Sequence, residues 1–70
     1  MIVAVDLDRP EGRSTRIFSG CFELQHDPET RTARVETTDL RHGRRDHFLS
    51  SVDAVRVLYD PTPRGPQGVA

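Results

Sequence analysis

The fold of this chain is predicted most directly by one stretch of its sequence, His47-Phe-Leu-Ser-Ser-Val-Asp-Ala-Val-Arg-Val-Leu-Tyr-Asp60. β-Branched and aromatic residues dominate the stretch, and such residues favour a pleated, half-buried strand. Val55, Val57 and Tyr59 occupy alternate positions, which predicts that they face a core together. We therefore expect the rest of the chain to be organised around this strand, which would close a small β-sheet.

A helix beginning at Ser51 is the alternative for the same residues. The valine-rich composition and the proline that follows Asp60 favour a strand over Ser51–Tyr59, because β-branched side chains are restricted in a helix and proline ends the segment. The preceding pair, Ser50-Ser51, is a natural place for the chain to turn a corner.

Four earlier stretches also have the character of strands, and turn residues separate them. Their predicted bounds are Met1–Leu7, Arg16–Gln25, Thr32–Leu40 and Arg45–Leu49. A two-residue loop centred on His42-Gly43 is expected between the last two of these. Connections this short predict an all-β fold, an antiparallel meander or small open barrel of about five strands. A twisted sheet that dimerises face to face is the alternative.

The second predicted strand contains a glycine between two phenylalanines. Alternation along it places Phe18, Phe22 and Leu24 on one face and Cys21 on the other. A glycine in the middle of a strand often marks a bend or bulge, so we expect Gly20 to curl the sheet.

The chain is short and carries little apolar material. It has 70 residues, a 34% apolar fraction, three Phe, one Tyr and no Trp, so its core is expected to be thin. Its single cysteine excludes an internal disulfide.

Residues 1–60 are predicted to form one domain and residues 61–70, rich in Pro and Gly, a flexible tail. Domains of this size gain stability by association, which predicts a homodimer or higher oligomer.

The net charge of −1 offers no global field that attracts nucleic acid or an acidic membrane. No apolar run approaches the ~20 residues of a membrane span, and the N-terminal run is too short for a secretory signal, which predicts a cytoplasmic protein without membrane contact. Function must therefore be sought in local clusters of side chains.

One cationic cluster stands out, at the predicted hairpin that joins the third and fourth strands. The candidate binding residues are Arg41, His42, Arg44 and Arg45. Guanidinium groups at a hairpin end grip phosphates or acidic protein patches. Asp39 and Asp46 flank the cluster and oppose a phosphate backbone, so an acidic protein patch is the favoured target.

Catalytic and metal-binding patterns are weak. The spacing of His42 and His47 fits no helical zinc motif, and Cys21 lacks a preceding helix that would activate its thiol. We therefore predict no catalytic residue, metal or cofactor. The favoured function is a non-enzymatic adaptor or regulatory module that self-associates or docks on a protein; the alternative is a nucleic-acid-binding module, and a metal-dependent or acid–base enzyme is a distant third.

Overall fold

A computed structural model describes residues 1–61 of the chain, and within them it is an all-β protein without a helix. Six antiparallel strands follow one another: β1 (Ile2–Arg9), β2 (Gly12–Phe18), β3 (Cys21–Asp27), β4 (Thr32–Asp39), β5 (Gly43–Leu49) and β6 (Val52–Tyr59). They form two sheets of three strands, the first with the order β2-β1-β6 and the second with the order β3-β4-β5. The predicted all-β class is confirmed, and the architecture is compatible with an open small barrel or meander. The predicted tail lies outside the described residues, except for Pro61.

The extra strand arises at Gly20, where the predicted strand Arg16–Gln25 is divided into β2 and β3. Gly20 has a φ of 68°, in the left-handed region that suits glycine. The bend carries the chain from the first sheet to the second, and the Thr38 amide donates to the Gly20 carbonyl at 3.0 Å. The predicted bend is confirmed, whereas the single continuous strand was wrong.

The bend also changes which side chains face the core. Phe18 and Cys21 are both buried, although strict alternation placed them on opposite faces, and Phe22 is exposed. An irregularity in the pairing between Cys21 and Glu23 shifts the alternation a second time, so that Leu24 packs against the core again. Phe18 and Leu24 thus both contact the core as predicted, and only the placement of Phe22 on that face was wrong.

The central strand of the first sheet is β1 rather than β6. Val3, Val5 and Leu7 of β1 are buried, because β1 has a hydrogen-bonded neighbour on each side. The strand predicted over Ser51–Tyr59 is confirmed, but it is an edge strand, and Val57 and Tyr59 are more than half exposed. Their predicted burial was wrong, because an edge strand is covered from one side only.

The core lies between the two sheets and takes side chains from every strand. Its buried members are Val3, Val5, Leu7, Phe18, Cys21, Ala33, Val35, Leu49 and Val52. Backbone hydrogen bonds join the sheets at the corner between β5 and β6: Asp8 N–H donates to the Ser51 carbonyl, and Val52 N–H donates to the Arg31 carbonyl, each at 2.9 Å. The corner predicted at Ser50-Ser51 is thus where the chain returns to the first sheet.

Candidate functional site

The turn between β4 and β5 holds two of the four predicted binding residues. The Asp39 carboxylate accepts hydrogen bonds from the backbone N–H groups of Arg41 at 2.7 Å and His42 at 2.6 Å. These bonds, that from His42 first, hold the pKa of Asp39 below its usual value. Asp39 pairs with Gly43, so the turn runs between these two residues and the predicted two-residue loop His42-Gly43 was wrong. The hydrogen bonds that the Asp39 side chain accepts account for the longer loop.

The other two predicted residues leave the turn in opposite directions. Arg44 pairs with Thr38 and Arg45 with Thr37, so strand alternation places them on opposite faces of the second sheet. Arg44 turns to the outer face, where its Nη2 lies 3.3 Å from Glu36 Oε2 and its guanidinium lies 4.7 Å from the Phe22 ring centre. The structure therefore does not bring Arg41, His42, Arg44 and Arg45 into one site.

A second arginine completes this outer face. Arg34 Nη2 lies 2.6 Å from Glu36 Oε1 and 3.2 Å from Asp46 Oδ1. Its guanidinium also lies 5.8 Å from the centre of the Phe48 ring, within the range of a cation–π contact. Arg34 and Arg44 thus each lie over one phenylalanine and bind the same glutamate.

We call this surface the arginine–phenylalanine face; its residues are Phe22, Arg34, Glu36, Arg44, Asp46 and Phe48. Glu36, on the central strand of the second sheet, is only 9% exposed, and its carboxylate contacts both arginines. The Arg34 side chain is 33% exposed and that of Arg44 is 73% exposed. Phe22 and Phe48 remain 43% and 76% exposed. The face therefore presents two exposed aromatic rings beside two guanidinium groups that contact one carboxylate.

A groove of about 590 Å³ adjoins one end of the face. Strand pairing places Gln25, Arg34 and Phe48 in one row across the second sheet. These three residues line the groove, and Asp27, Thr32 and Ser50 also contribute to it. The groove therefore lies beside Phe48, the more exposed of the two aromatic rings of the face.

Sequence reasoning missed this face because its members come from three strands. Alternation along the predicted third strand does place Arg34 and Glu36 on its outward face, and this pattern could have indicated part of the site. The pairing of Arg34 with Phe48, however, depends on the β4–β5 register, and that register was misjudged by the loop prediction. The outward position of Phe22 depends on the irregularity near Cys21.

The remaining side chains considered for catalysis or metal binding have surroundings typical of structural residues. Cys21 is buried, and burial raises the pKa of its thiol, which disfavours the reactive thiolate. His47 Nε2 lies 3.0 Å from Thr37 Oγ1, and its ring centre lies 4.8 Å from that of Phe18. Within residues 1–61, no three His, Cys, Asp or Glu side chains are grouped as metal ligands.

On the first sheet, Asp6 connects three strands through its carboxylate. Arg56 donates to it through Nε and Nη2, each at 3.0 Å, and Thr15 Oγ1 donates at 2.7 Å. These contacts, that of Arg56 first, hold the pKa of Asp6 below its usual value.

The lowered pKa of Asp6 predicts a defined pH dependence of stability. A carboxyl group whose pKa is depressed on folding contributes stability above its unfolded-state pKa, about 3.9, and loses that contribution as pH falls through the folded-state value. Asp6→Asn is therefore expected to be less stable than the native chain at pH 7, and the difference is expected to shrink below about pH 4. Urea unfolding of both proteins at pH 7, 5, 3.5 and 2.5 measures this difference; a difference that stays constant down to pH 2.5 contradicts the prediction.

Among residues 1–61, no helical segment has the length and apolar character that a membrane span requires.

Comparisons with protein-family models, curated proteins and solved structures returned no match to this chain.

Proposed function

We propose that this protein is a non-enzymatic binding module that docks a protein partner through the arginine–phenylalanine face. The observation that carries the proposal is the pairing of two exposed phenylalanines, Phe22 and Phe48, with two guanidiniums that share a nearly buried carboxylate. Aromatic residues and arginine are enriched at the energetic centres of protein interfaces.

The arrangement also lowers the entropic cost of binding. A free arginine loses side-chain freedom when a partner fixes it, and each immobilised side chain costs roughly 0.5–1.5 kcal/mol. Glu36 and Asp46 already restrain Arg34, which is only 33% exposed, so part of that cost is met during folding. The groove beside Phe48 offers a place for one side chain of the partner.

The charges of the face favour a protein over a nucleic acid. Strand pairing aligns Glu23, Glu36 and Asp46 in one row across the second sheet. Three carboxylates beside the two arginines of the face leave it without excess positive charge, whereas nucleic-acid affinity depends on neutralising phosphates with cations. Exposed phenylalanines on a sheet also stack on unpaired bases in some RNA-binding domains, which makes single-stranded nucleic acid the second candidate.

Site-specific photo-crosslinking in the native cells tests the proposal. A benzophenone analogue of phenylalanine replaces Phe48 in one variant and Leu40 in the control variant, since Leu40 is a fully exposed apolar residue outside the face. We expect a discrete protein adduct from position 48 that position 40 does not form. With the identified partner purified, Phe48→Ala and Arg34→Ala should each raise the dissociation constant about tenfold or more.

Three results separate the candidates. Equal adducts from positions 48 and 40, or none from either, contradict the proposed docking face. An adduct from position 48 that ribonuclease removes, together with binding of single-stranded RNA that weakens steeply with salt, assigns the face to nucleic acid instead.

A further inference from the structure

The groove beside Phe48 has an acidic wall, which indicates the kind of side chain that it accepts. Asp27 lines the groove and pairs with Thr32, two positions along β3 from Gln25. Strand alternation therefore places Asp27 on the outer side of the second sheet, as it does Gln25. We propose that the protein partner presents a basic segment to this surface and inserts one arginine or lysine side chain into the groove. The proposal rests on the docking function proposed above.

The guanidinium charges of the arginine–phenylalanine face are already compensated within the face. Arg34 contacts the carboxylates of Glu36 and Asp46. Arg44 contacts the second oxygen of Glu36. Two guanidiniums are thus matched by two carboxylates, and the face offers no excess positive charge to an acidic ligand.

Two further carboxylates on the same side of the sheet have no such partner. Glu23 and Asp27 are both exposed, and none of the ion pairs among residues 1–61 involves either of them. The outward side chains of β3, β4 and β5 therefore comprise four carboxylates and two guanidiniums. The resulting negative charge attracts a cationic segment and opposes an acidic one.

Phe48 supplies a second attraction for a cation. Its ring is 76% exposed, and the Arg34 guanidinium lies 5.8 Å from the ring centre, near the outer limit of a cation–π contact. A partner's guanidinium or ammonium group can therefore still approach the ring. The groove also contains hydrogen-bond acceptors for such a group, the Gln25 amide oxygen and the hydroxyls of Thr32 and Ser50.

The same geometry disfavours the other kinds of occupant. An apolar side chain in the groove would cover Asp27 without a counter-charge, and a carboxylate taken out of water without a partner is costly. An acidic side chain would add repulsion to that cost. The acidic target predicted from the sequence belonged to the hairpin arginines, which the structure does not bring together.

NMR titration of the full chain with small probes tests the charge of the occupant. Acetyl-arginine amide and acetyl-citrulline amide have nearly the same shape and differ in charge. At about 0.1 M salt we expect the arginine probe to shift the amide signals of Gln25, Thr32 and Phe48 saturably, with a dissociation constant in the millimolar range. The citrulline probe should bind at least about fivefold more weakly, and acetyl-glutamate amide should give no saturable shift.

Asp27→Asn tests whether this carboxylate supplies the attraction. Asp27 Oδ1 accepts hydrogen bonds from the N–H groups of Glu29 and Thr30, at 3.0 and 3.4 Å, and asparagine retains an oxygen for them. We expect the variant to bind the arginine probe about fivefold more weakly, since one pair of opposite charges about 4 Å apart in water contributes a factor of that order.

Asp39→Asn is the matched control, because it removes the same charge from a carboxylate of the same structural type. Asp39 also accepts hydrogen bonds from backbone N–H groups of its own turn, but it lies at the far end of β4 from Thr32, roughly 20 Å along the strand. At about 0.1 M salt that separation exceeds the screening length of ~10 Å, so the control should bind the probe within about twofold of the native chain.

Equal affinities for the arginine and citrulline probes overturn the proposal, as do equal effects of the two variants or the absence of a saturable shift in the groove. The comparison of probes needs no variant, so it decides the matter even if Asp27→Asn fails to fold. With the crosslinked partner in hand, an affinity that falls on Phe48→Ala but not on Asp27→Asn keeps the docking face and overturns the basic occupant. Absence of an adduct at position 48 contradicts the docking function itself.

Discussion

Replacing Gly20 with alanine is expected to lower the free energy of unfolding by about 3–5 kcal/mol, through backbone strain and a steric clash. A Cβ at this position would lie 2.6 Å from the Thr38 backbone carbonyl oxygen, closer than any relaxed contact. That oxygen belongs to β4 and cannot rotate away as a side chain would. The backbone at Gly20 also has a φ of 68°, which disfavours residues with a Cβ. Since a chain of this size is stable by roughly 4–10 kcal/mol in total, the variant should be partly or largely unfolded at 25 °C.

Gly43→Ala is the matched control, because Gly43 has nearly the same φ without the clash. Its φ is 69°, and a Cβ there meets no atom within 4 Å. The control should therefore lose only the conformational part, about 1–2 kcal/mol. Urea unfolding of all three proteins at one concentration measures both losses. Equal losses for the two variants would show that the contact with β4 yields easily and that the bend does not depend on glycine's size.

The sequence was informative where local pattern decides structure. The predicted strand Thr32–Leu40 closely matches β4, and the choice of strand over helix for Ser51–Tyr59 is correct, because β-branched residues express their preference within the strand itself. The bend at Gly20 was also visible, since a glycine between two large residues has a local meaning. What a local pattern does not contain is the direction in which the chain continues after the bend.

Which strands become neighbours depends on the direction of the chain after each bend, so the strand partners could not be predicted from local pattern. Alternation in β6 correctly predicted that Val55 faces the core, against which it packs. The burial of Val57, however, depends on whether another strand lies beyond β6, and none does among the described strands. Likewise, clustering in sequence suggested that Arg44 and Arg45 act together, whereas pleating separates neighbours and brings Arg44 to Glu36. The arginine–phenylalanine face depends on register across three strands, which becomes defined only when the sheet has formed.

The thin core makes each large buried side chain important, and Leu7→Ala tests this directly. Leu7 is 2% exposed and is among the largest fully buried side chains of the described chain. It pairs with Ser14 on β2 and Val52 on β6, next to the corner where Asp8 is bonded to Ser51. Truncation removes buried methyl groups and leaves a cavity. Because backbone hydrogen bonds hold the strands in place, the sheet cannot close around that cavity, and we expect the free energy of unfolding to fall by about 3 kcal/mol.

Leu40→Ala makes the same chemical change at the opposite extreme of exposure. Leu40 lies in the turn between β4 and β5 and is fully exposed, so its truncation removes no buried surface and should change the free energy of unfolding by less than about 0.5 kcal/mol. Chemical denaturation of the two variants beside the native chain, at one protein concentration, gives the comparison. A loss at Leu7 as small as that at Leu40 would mean that the space between the sheets closes around the missing atoms. In that case hydrogen bonds between strands, rather than close packing of this core, would be the main source of stability in the domain.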